Sequence, residues 1–193
     1  MWNHVGYLVD NREFMCCFGC DSSYDAGMTW ALITNIILFT ALFMLAILGI
    51  LGLTQWISRK SLKKVDPELT LALIPLVLMT IAYFIFDKLI VLNVRPDGSG
   101  EPSFPSTHVM VVTTIFILSA LVLPKYVKSK VAYVSFDIIM FAMIVLVCVG
   151  RVLANMHWVS DVIGGLVFAT IFSVVYYLIL KRRNNAKRIH KNH

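Results

Sequence analysis

The chain has 193 residues, of which 59% are hydrophobic, and its mean hydropathy is +0.79. This composition is too apolar for an ordinary soluble domain of this length. The formal net charge of +6 would suit a protein that binds nucleic acid. However, the basic residues lie in short clusters between long apolar runs, which is typical of a membrane protein. We therefore expect no nucleic-acid partner.

Five apolar stretches set the predicted architecture. A membrane-spanning helix needs about 20 mostly apolar residues. The stretches that reach or approach this length are residues 30–56, 69–86, 109–123, 131–149 and 159–180. The third is the shortest, and we expect its helix to extend back to Ser106. The sequence thus predicts an all-α integral membrane bundle of about five transmembrane helices, with a transmembrane domain over residues 30–181.

Residues 1–29 are predicted to form an extracytoplasmic segment at the membrane interface. They do not form a signal peptide, because charged residues interrupt every apolar run. The segment contains the cysteines Cys16, Cys17 and Cys20. Cys17 and Cys20 have the spacing of half a zinc site or of a redox pair, but no second pair follows. We predict no metal site here, and disulfide-bonded, reduced and acylated cysteines all stay open.

The distribution of basic residues predicts the orientation in the membrane. All but four of the 17 lysines and arginines lie in residues 59–64, 125–130 and 181–191. These segments follow alternate spans and therefore share one face, which the positive-inside rule makes cytoplasmic. The prediction is a multi-pass protein of the plasma membrane, with its N-terminus outside and a basic cytoplasmic tail over residues 182–193. The four exceptions are Arg12, Lys88, Arg95 and Arg151.

Within the spans, a few residues break the apolar pattern. Pro75 is expected to kink the second helix. Gly49 and Gly52 favour close helix packing in the first, and would allow a homodimer. Asp137 is a functional candidate because intramembrane acids are costly. It precedes Arg151 by about 21 Å of helix, so we favour a contact between helices, and its role stays open.

Polar residues gather in three short stretches on the face that has few cations. They are Lys88 to Arg95-Pro96, Pro105-Ser106-Thr107-His108, and Arg151 to His157 and Asp161. The three cations Lys88, Arg95 and Arg151 suit a phosphate group, since a guanidinium can donate to two phosphate oxygens at once. Ser106 and Thr107 open a helix, where hydroxyls and free backbone N–H groups bind anions.

The two histidines supply the chemistry for cleaving a phosphate ester. His157 and Asp161 are four residues apart, so on a helix they share one face. Asp161 can then accept a hydrogen bond from one ring nitrogen and leave the other free to attack phosphorus. His108 would protonate the leaving oxygen. Gly164 and Gly165 follow Asp161 and would let a neighbouring helix approach this site.

The combined spacing resembles a known family. Lys-x6-Arg-Pro, Pro-Ser-x-His and Arg-x5-His-x3-Asp form the three-part signature of the type 2 phosphatidic acid phosphatase superfamily, the lipid phosphate phosphatases. The resemblance covers roughly residues 66–180. It implies a phosphohistidine at His157, supported by Asp161, with His108 as the acid. Phosphate would be bound by Lys88, Arg95, Ser106, Thr107 and Arg151, with no metal or other cofactor.

Two positions depart from the family pattern. Thr107 stands where glycine is usual, and Gly150 stands where serine is usual. The first change restricts the backbone, and the second removes a hydroxyl donor. Both bear on phosphate geometry rather than on the class of reaction.

The predicted function is hydrolysis of a lipid phosphate at the outer leaflet. By resemblance the first candidate substrate is undecaprenyl pyrophosphate, in recycling of the lipid carrier for cell-wall assembly. Phosphatidylglycerol phosphate or phosphatidic acid is the second. A lipid phosphotransferase would use the same phosphohistidine with another acceptor. A haloperoxidase and a catalytically silent scaffold are less favoured, the first because of the five spans and the second because of the intact histidines and Asp161.

Overall fold

The computed structural model describes the backbone of residues 20–191 and the side chains of residues 26–186. Its described part is helical throughout, apart from turns and one long loop. The α-helices are α1 (Cys20–Arg59), α2 (Pro67–Leu71), α3 (Leu73–Phe84), α4 (Thr107–Tyr126), α5 (Lys130–Leu153) and α6 (Val159–Lys191). A short 3-10 turn, Leu62–Lys64, precedes α2, and a π-helical turn, Ile85–Leu89, continues α3.

The prediction of a five-span helical membrane protein is confirmed. Five segments of the described chain are long and apolar enough to cross a bilayer. They are Ala26–Arg59, Pro67–Leu89, Thr107–Tyr126, Lys130–Leu153 and Val159–Ala186. Each predicted apolar stretch lies within or overlaps one of them.

The first and last helices extend beyond the predicted transmembrane domain of residues 30–181. Helix α1 begins at Cys20 rather than at residue 30, so the last part of the predicted interfacial segment is helical. Residues 1–19, with Cys16 and Cys17, lie outside the described residues. Helix α6 runs to Lys191 and includes most of the predicted basic tail, residues 182–193.

The second span is broken near its start, as Pro75 predicted. Helices α2 and α3 are separated at Ala72. Proline has no N–H to donate to the carbonyl four residues earlier, and its ring collides with that carbonyl, here of Leu71. The span therefore restarts as α3 and ends in the π-helical turn that carries Lys88.

Helix α4 lies at the centre of the bundle and contacts α1, α5 and α6. Its residues Val109, Val112 and Ile115 are fully buried. They pack with residues of the surrounding helices, namely Ile37 and Ala41 of α1, Met140 and Val147 of α5, and Val162 of α6. Because lipid tails are as apolar as leucine, such contacts hold the bundle together by close packing rather than by escape from water.

A polar cluster fixes the end of the bundle where the basic loops meet. Asp66 Oδ2 accepts hydrogen bonds from Gln55 Nε2 of α1 at 2.9 Å and from the Tyr126 hydroxyl of α4 at 2.8 Å. Burial disfavours its charge, but these hydrogen bonds prevail and lower the pKa of Asp66 to about 2. Asp66 thus joins two helices, and its side chain makes no capping hydrogen bond to α2.

At the opposite end, α6 comes very close to the start of α4. A Cβ added to Gly165 would lie only 2.8 Å from the Ser106 carbonyl oxygen, and one added to Gly164 would collide with the Phe104 ring. Only glycine allows this approach at either position. The Phe104 ring also packs edge-on against Phe86, with the ring centres 5.7 Å apart. These contacts press the loop before α4 onto α6.

Candidate active site

The loop between the π-helical turn and α4 folds back on itself as a hairpin. Its arms pair through Arg95 N–H to the Glu101 carbonyl at 3.0 Å and Ser103 N–H to the Asn93 carbonyl at 2.9 Å. The turn contains Gly98 and Gly100, which have φ angles of 81° and 74° that favour glycine. One arm therefore carries Arg95, and the other carries Ser103 towards α6.

Asp161 attaches this hairpin to the first turn of α6. Its side chain is fully buried. Oδ1 accepts a hydrogen bond from Asn93 Nδ2 at 3.1 Å, and Oδ2 accepts one from the Ser103 hydroxyl. The Trp158 N–H also donates to Oδ2 at 2.9 Å, in the manner of an acidic residue that caps its own helix. Asp161 is thus the anchor of the loop.

His157 lies in the turn between α5 and α6, not on a helix with Asp161 as the spacing suggested. Its Nδ1 is 3.9 Å from Asp161 Oδ2, which is too far for a hydrogen bond. Instead, Nδ1 lies 2.9 Å from the carbonyl oxygen of Ser103. A carbonyl only accepts, so Nδ1 carries the proton and Nε2 keeps its lone pair.

Two arginines lie nearby, and one of them donates a hydrogen bond to this unprotonated nitrogen. Arg151 is buried, and its Nη2 is 3.2 Å from His157 Nε2. Arg95 pairs through Nη1 with Glu101 at 2.8 Å. The Nε atoms of both arginines are buried without a hydrogen-bond partner among the described residues. A buried guanidinium N–H without a partner is costly, so these donors fit an absent anion.

Ser106 adds a third unsatisfied group. It precedes α4, its side chain is fully buried, and its hydroxyl has no partner among the described residues. Thr107, the first residue of α4, lines the neighbouring cavity. The free N–H groups of a helix start favour an anion at this position.

Both arginines, Thr107 and His157 line one cavity of about 370 Å³. Its polar walls include Arg95, Thr107, His108, Arg151 and His157. Its other walls are mostly apolar and come from α1, α3, the π-helical turn and α4; they include Leu38, Leu42, Tyr83, Phe86, Met110 and Val111. The cavity thus joins a cationic end to an apolar side within the bundle.

His108, in the first turn of α4, lines the same cavity as His157. Its Nε2 lies 2.9 Å from Asn35 Oδ1 of α1. An amide oxygen accepts, so this contact places a proton on Nε2 and leaves Nδ1 as the second exchangeable position. The sequence did not predict this partner of His108.

Lys88, like Ser106, is a predicted phosphate ligand that does not line the cavity. Its ammonium group is 2.8 Å from Asp87 Oδ2, and its side chain is 61% exposed. Asp87, rather than Lys88, lines the cavity. The side chain of Lys88 would have to turn to reach a bound phosphate.

The electrostatics of the site favour a neutral His157. Burial lowers the pKa of His157 to about 4, and the nearby Arg151 guanidinium acts in the same direction. The Ser103 carbonyl opposes this shift. At neutral pH the imidazole is therefore uncharged, as a nucleophile must be.

Packing explains glycine at position 150. A Cβ there would lie 2.6 Å from Thr34 Cγ2 and 3.3 Å from the Trp30 ring, both on α1. A serine could not be accommodated without moving α1 away from α5. The start of α1 fills the space beside Arg151 that a serine side chain would need.

Two further predictions concern metals and Asp137. Within the described part of the chain, no group of three or more His, Cys, Asp or Glu is placed to hold a metal ion. Asp137 Oδ1 is buried and has no hydrogen-bond partner there. The predicted contact of Asp137 with another helix is therefore not made through a hydrogen bond to Oδ1 among the described residues.

Together, the five spans and the cavity lined by two arginines and two histidines define a multi-pass helical membrane protein with a cationic cavity at one end of its bundle. The model of the PAP2 superfamily matches residues 43–185, so the chain belongs to that superfamily. The fold is also that of a solved structure, a transmembrane PAP2-type phosphatidylglycerolphosphate phosphatase from Bacillus subtilis. The TM-score is 0.61 at 18% identity, covering 87% of this chain and 90% of the other. No curated protein matches the sequence.

Proposed function

We propose that this protein is a membrane lipid phosphatase that cleaves a phosphate ester or anhydride through a phosphohistidine at His157. One observation carries the proposal. Arg95 Nε and Arg151 Nε are buried, have no hydrogen-bond partner among the described residues, and belong to side chains that line one cavity with two histidines; Ser106 Oγ, next to the cavity residue Thr107, is likewise buried without such a partner. A phosphate group would satisfy all three, since its oxygens accept several hydrogen bonds at once.

In the first step, His157 Nε2 attacks phosphorus as the bond from phosphorus to the lipid oxygen breaks. His108 gives its proton to that oxygen, and the lipid alcohol or monophosphate leaves. Arg95 and Arg151 neutralise the charge on the phosphoryl oxygens, a form of stabilisation that usually supplies the largest part of such rate enhancements. The Nδ1–H of His157 stays on the Ser103 carbonyl throughout.

In the second step, water replaces the lipid oxygen. His108, now neutral, accepts a proton from the water as it attacks phosphorus and the P–N bond breaks. Inorganic phosphate forms, His157 returns to its neutral state, and His108 is protonated again. One residue therefore serves first as acid and then as base.

The apolar walls of the cavity favour a lipid substrate. Residues of α1, α3 and α4 line it beside the cationic end, so an acyl or isoprenoid chain can stay in the bilayer. Undecaprenyl pyrophosphate is our first candidate. Phosphatidylglycerol phosphate, which the Bacillus subtilis neighbour hydrolyses according to its name, is the alternative with phosphatidic acid. The basic loops favour a site on the outer face of the plasma membrane, since the positive-inside rule puts those loops in the cytoplasm.

The test is phosphate release by the purified protein in detergent, with EDTA present. The substrates are undecaprenyl pyrophosphate, phosphatidylglycerol phosphate and phosphatidic acid. We expect His157→Ala to abolish release, while His190→Ala, the same change in the basic C-terminal segment, leaves it unchanged. Loss of release on adding EDTA would contradict a metal-free mechanism. Equal release by His157→Ala would contradict the assigned nucleophile, and a lipid acceptor added to the assay would reveal phosphotransfer.

A further inference from the structure

The contacts of His157 leave a gap between the nucleophile and the acid that was expected to orient it. Asp161 Oδ2 lies 3.9 Å from His157 Nδ1, beyond hydrogen-bond distance. Both side chains are buried, so bulk water does not fill the gap. Any effect of the carboxylate on the imidazole must therefore pass through space or through another residue.

Ser103 occupies this gap with two of its groups. Its carbonyl oxygen is 2.9 Å from His157 Nδ1. Its hydroxyl oxygen is 3.4 Å from the same nitrogen, and the hydroxyl donates a hydrogen bond to Asp161 Oδ2. The side chain is only 1% exposed. One residue thus holds the ring and bonds to the carboxylate.

We propose that Ser103 is a positioning residue for the phosphatase reaction, through which Asp161 orients His157. The carbonyl of Ser103 fixes the proton on Nδ1 and so presents the Nε2 lone pair to phosphorus. Its hydroxyl, held by Asp161, directs an oxygen lone pair towards Nδ1. This inference rests on the proposed function and assigns a role to a residue outside the three sequence motifs.

The arrangement should matter most after phosphorus bonds to Nε2. The ring then gains positive charge, and the Nδ1–H becomes a stronger donor. The carbonyl and hydroxyl oxygens of Ser103 both face that proton, and the negative charge of Asp161 lies directly behind the hydroxyl. Ser103 would therefore stabilise the transition state more than the bound substrate, which raises kcat rather than lowering KM.

The first experiment removes only the hydroxyl. Ser103→Ala keeps the main-chain carbonyl but loses the link to Asp161, so we expect kcat to fall about 10- to 100-fold, as for loss of a hydrogen bond to a charged group. KM should change little, because no atom of Ser103 belongs to the anion-binding groups. Ser99→Ala is the matched control, since it removes a hydroxyl from the exposed turn of the same hairpin and should leave both constants unchanged.

A second measurement separates positioning from general support of the fold. If the hydroxyl acts through the carboxylate, Ser103→Ala should cost nothing further in an Asp161→Ala background. Ser103→Cys keeps the shape of the side chain with only a small increase in volume, but its S–H donates only weakly, so it should fold and still lose most of the kcat. A Ser103→Cys protein with wild-type kcat, or losses that multiply in the double variant, would overturn the role of Ser103.

These outcomes are distinct from failure of the proposed function. That function requires wild-type phosphate release and its loss in His157→Ala, and both are measured in the same assay. If the two requirements hold and Ser103→Ala equals the wild type in kcat, then Ser103 alone is misassigned. If the wild type releases no phosphate, the phosphatase proposal itself fails.

Discussion

The protonation of His157 follows from a few neighbouring groups. A buried imidazole beside a guanidinium is not easily protonated to the charged form. The Ser103 carbonyl fixes the single hydrogen of the neutral ring on Nδ1. The same Arg151 that disfavours a charged ring is also the proposed phosphate ligand. In the proposed mechanism, one pair of contacts thus keeps the nucleophile neutral and holds the phosphate beside Nε2.

The depressed pKa predicts the pH profile of the proposed reaction. Above pH 4 His157 is neutral in the free enzyme, and below it the ring is protonated and cannot attack. The acid limb of kcat/KM, which reports the free enzyme, should therefore fall at about pH 4. We would measure initial rates of phosphate release between neutral pH and the acid limit of stability.

A variant of Arg151 tests the physical cause of the lowered pKa of His157. Arg151→Gln removes the positive charge that helps to lower the pKa of His157, so its acid limb should move to higher pH, whatever its absolute rate. An acid limb near the ordinary histidine pKa of about 6.5 in the wild-type protein would contradict the buried, neutral His157.

For individual residues, the sequence could indicate the charged and titratable side chains of the site but not their hydrogen-bond partners. Arg95, His108, Arg151 and His157 stand out because polar groups are rare beside membrane spans. Ser103 does not, since one serine in a loop rich in glycine, proline and serine carries no pattern. Asn93 and Asn35 are equally inconspicuous, and only the fold brings each beside Asp161 or His108.

Among the elements, the junction of α4 and α6 determines whether the site can assemble. The backbone of Ser106 touches α6, and its N–H donates to the Asp161 carbonyl at 3.0 Å. This contact brings the start of α4, the proposed phosphate-binding segment, against the helix that anchors the hairpin. Gly165 makes it possible, because any side chain there would push the two helices apart.

We predict that Gly165→Ala destabilises the protein and lowers its activity. The added Cβ would lie 2.8 Å from the Ser106 carbonyl and 3.2 Å from Val109 Cβ, neither of which is a flexible chain end. Overpacking of this kind costs about 1–3 kcal/mol. Thermal unfolding in detergent, followed together with phosphate release, would measure both effects.

Gly49→Ala is the matched control. It makes the same substitution within α1, where an added Cβ meets no other heavy atom within 4 Å. Stability should stay constant or rise by up to about 1 kcal/mol from the better helix propensity of alanine. Equal stability losses in the two variants would show that contact with Ser106 does not explain the effect at position 165.

The elements themselves were predictable to different degrees. The lengths of the apolar stretches were sufficient to predict the five spans, and Pro75 was sufficient to predict the break in the second span. The start of α1 was missed because Asp21 and Asp25 interrupt the apolar run, although a helix can continue beyond its apolar part. The hairpin depends on hydrogen bonds to α6, which no local pattern specifies.

Across the whole molecule, the two ends of the bundle have different chemistry. Arg59 and Lys125 lie at the end where Asp66 joins α1 to α4. The cavity with Arg151 and His157 lies at the other end. This separation supports a phosphatase site that faces away from the cytoplasm, with lysines and arginines elsewhere serving orientation.

Orientation can be tested by labelling single cysteines from outside the cell. In a background with the four native cysteines replaced by alanine, Ser99→Cys places a thiol on the exposed hairpin turn, and Lys128→Cys places one in the exposed α4–α5 loop. Because the positive-inside rule puts the basic loops in the cytoplasm, a membrane-impermeant maleimide should label Ser99→Cys in intact cells but Lys128→Cys only after permeabilisation. The reverse pattern would place the site in the cytoplasm and exclude hydrolysis of a lipid phosphate at the outer leaflet.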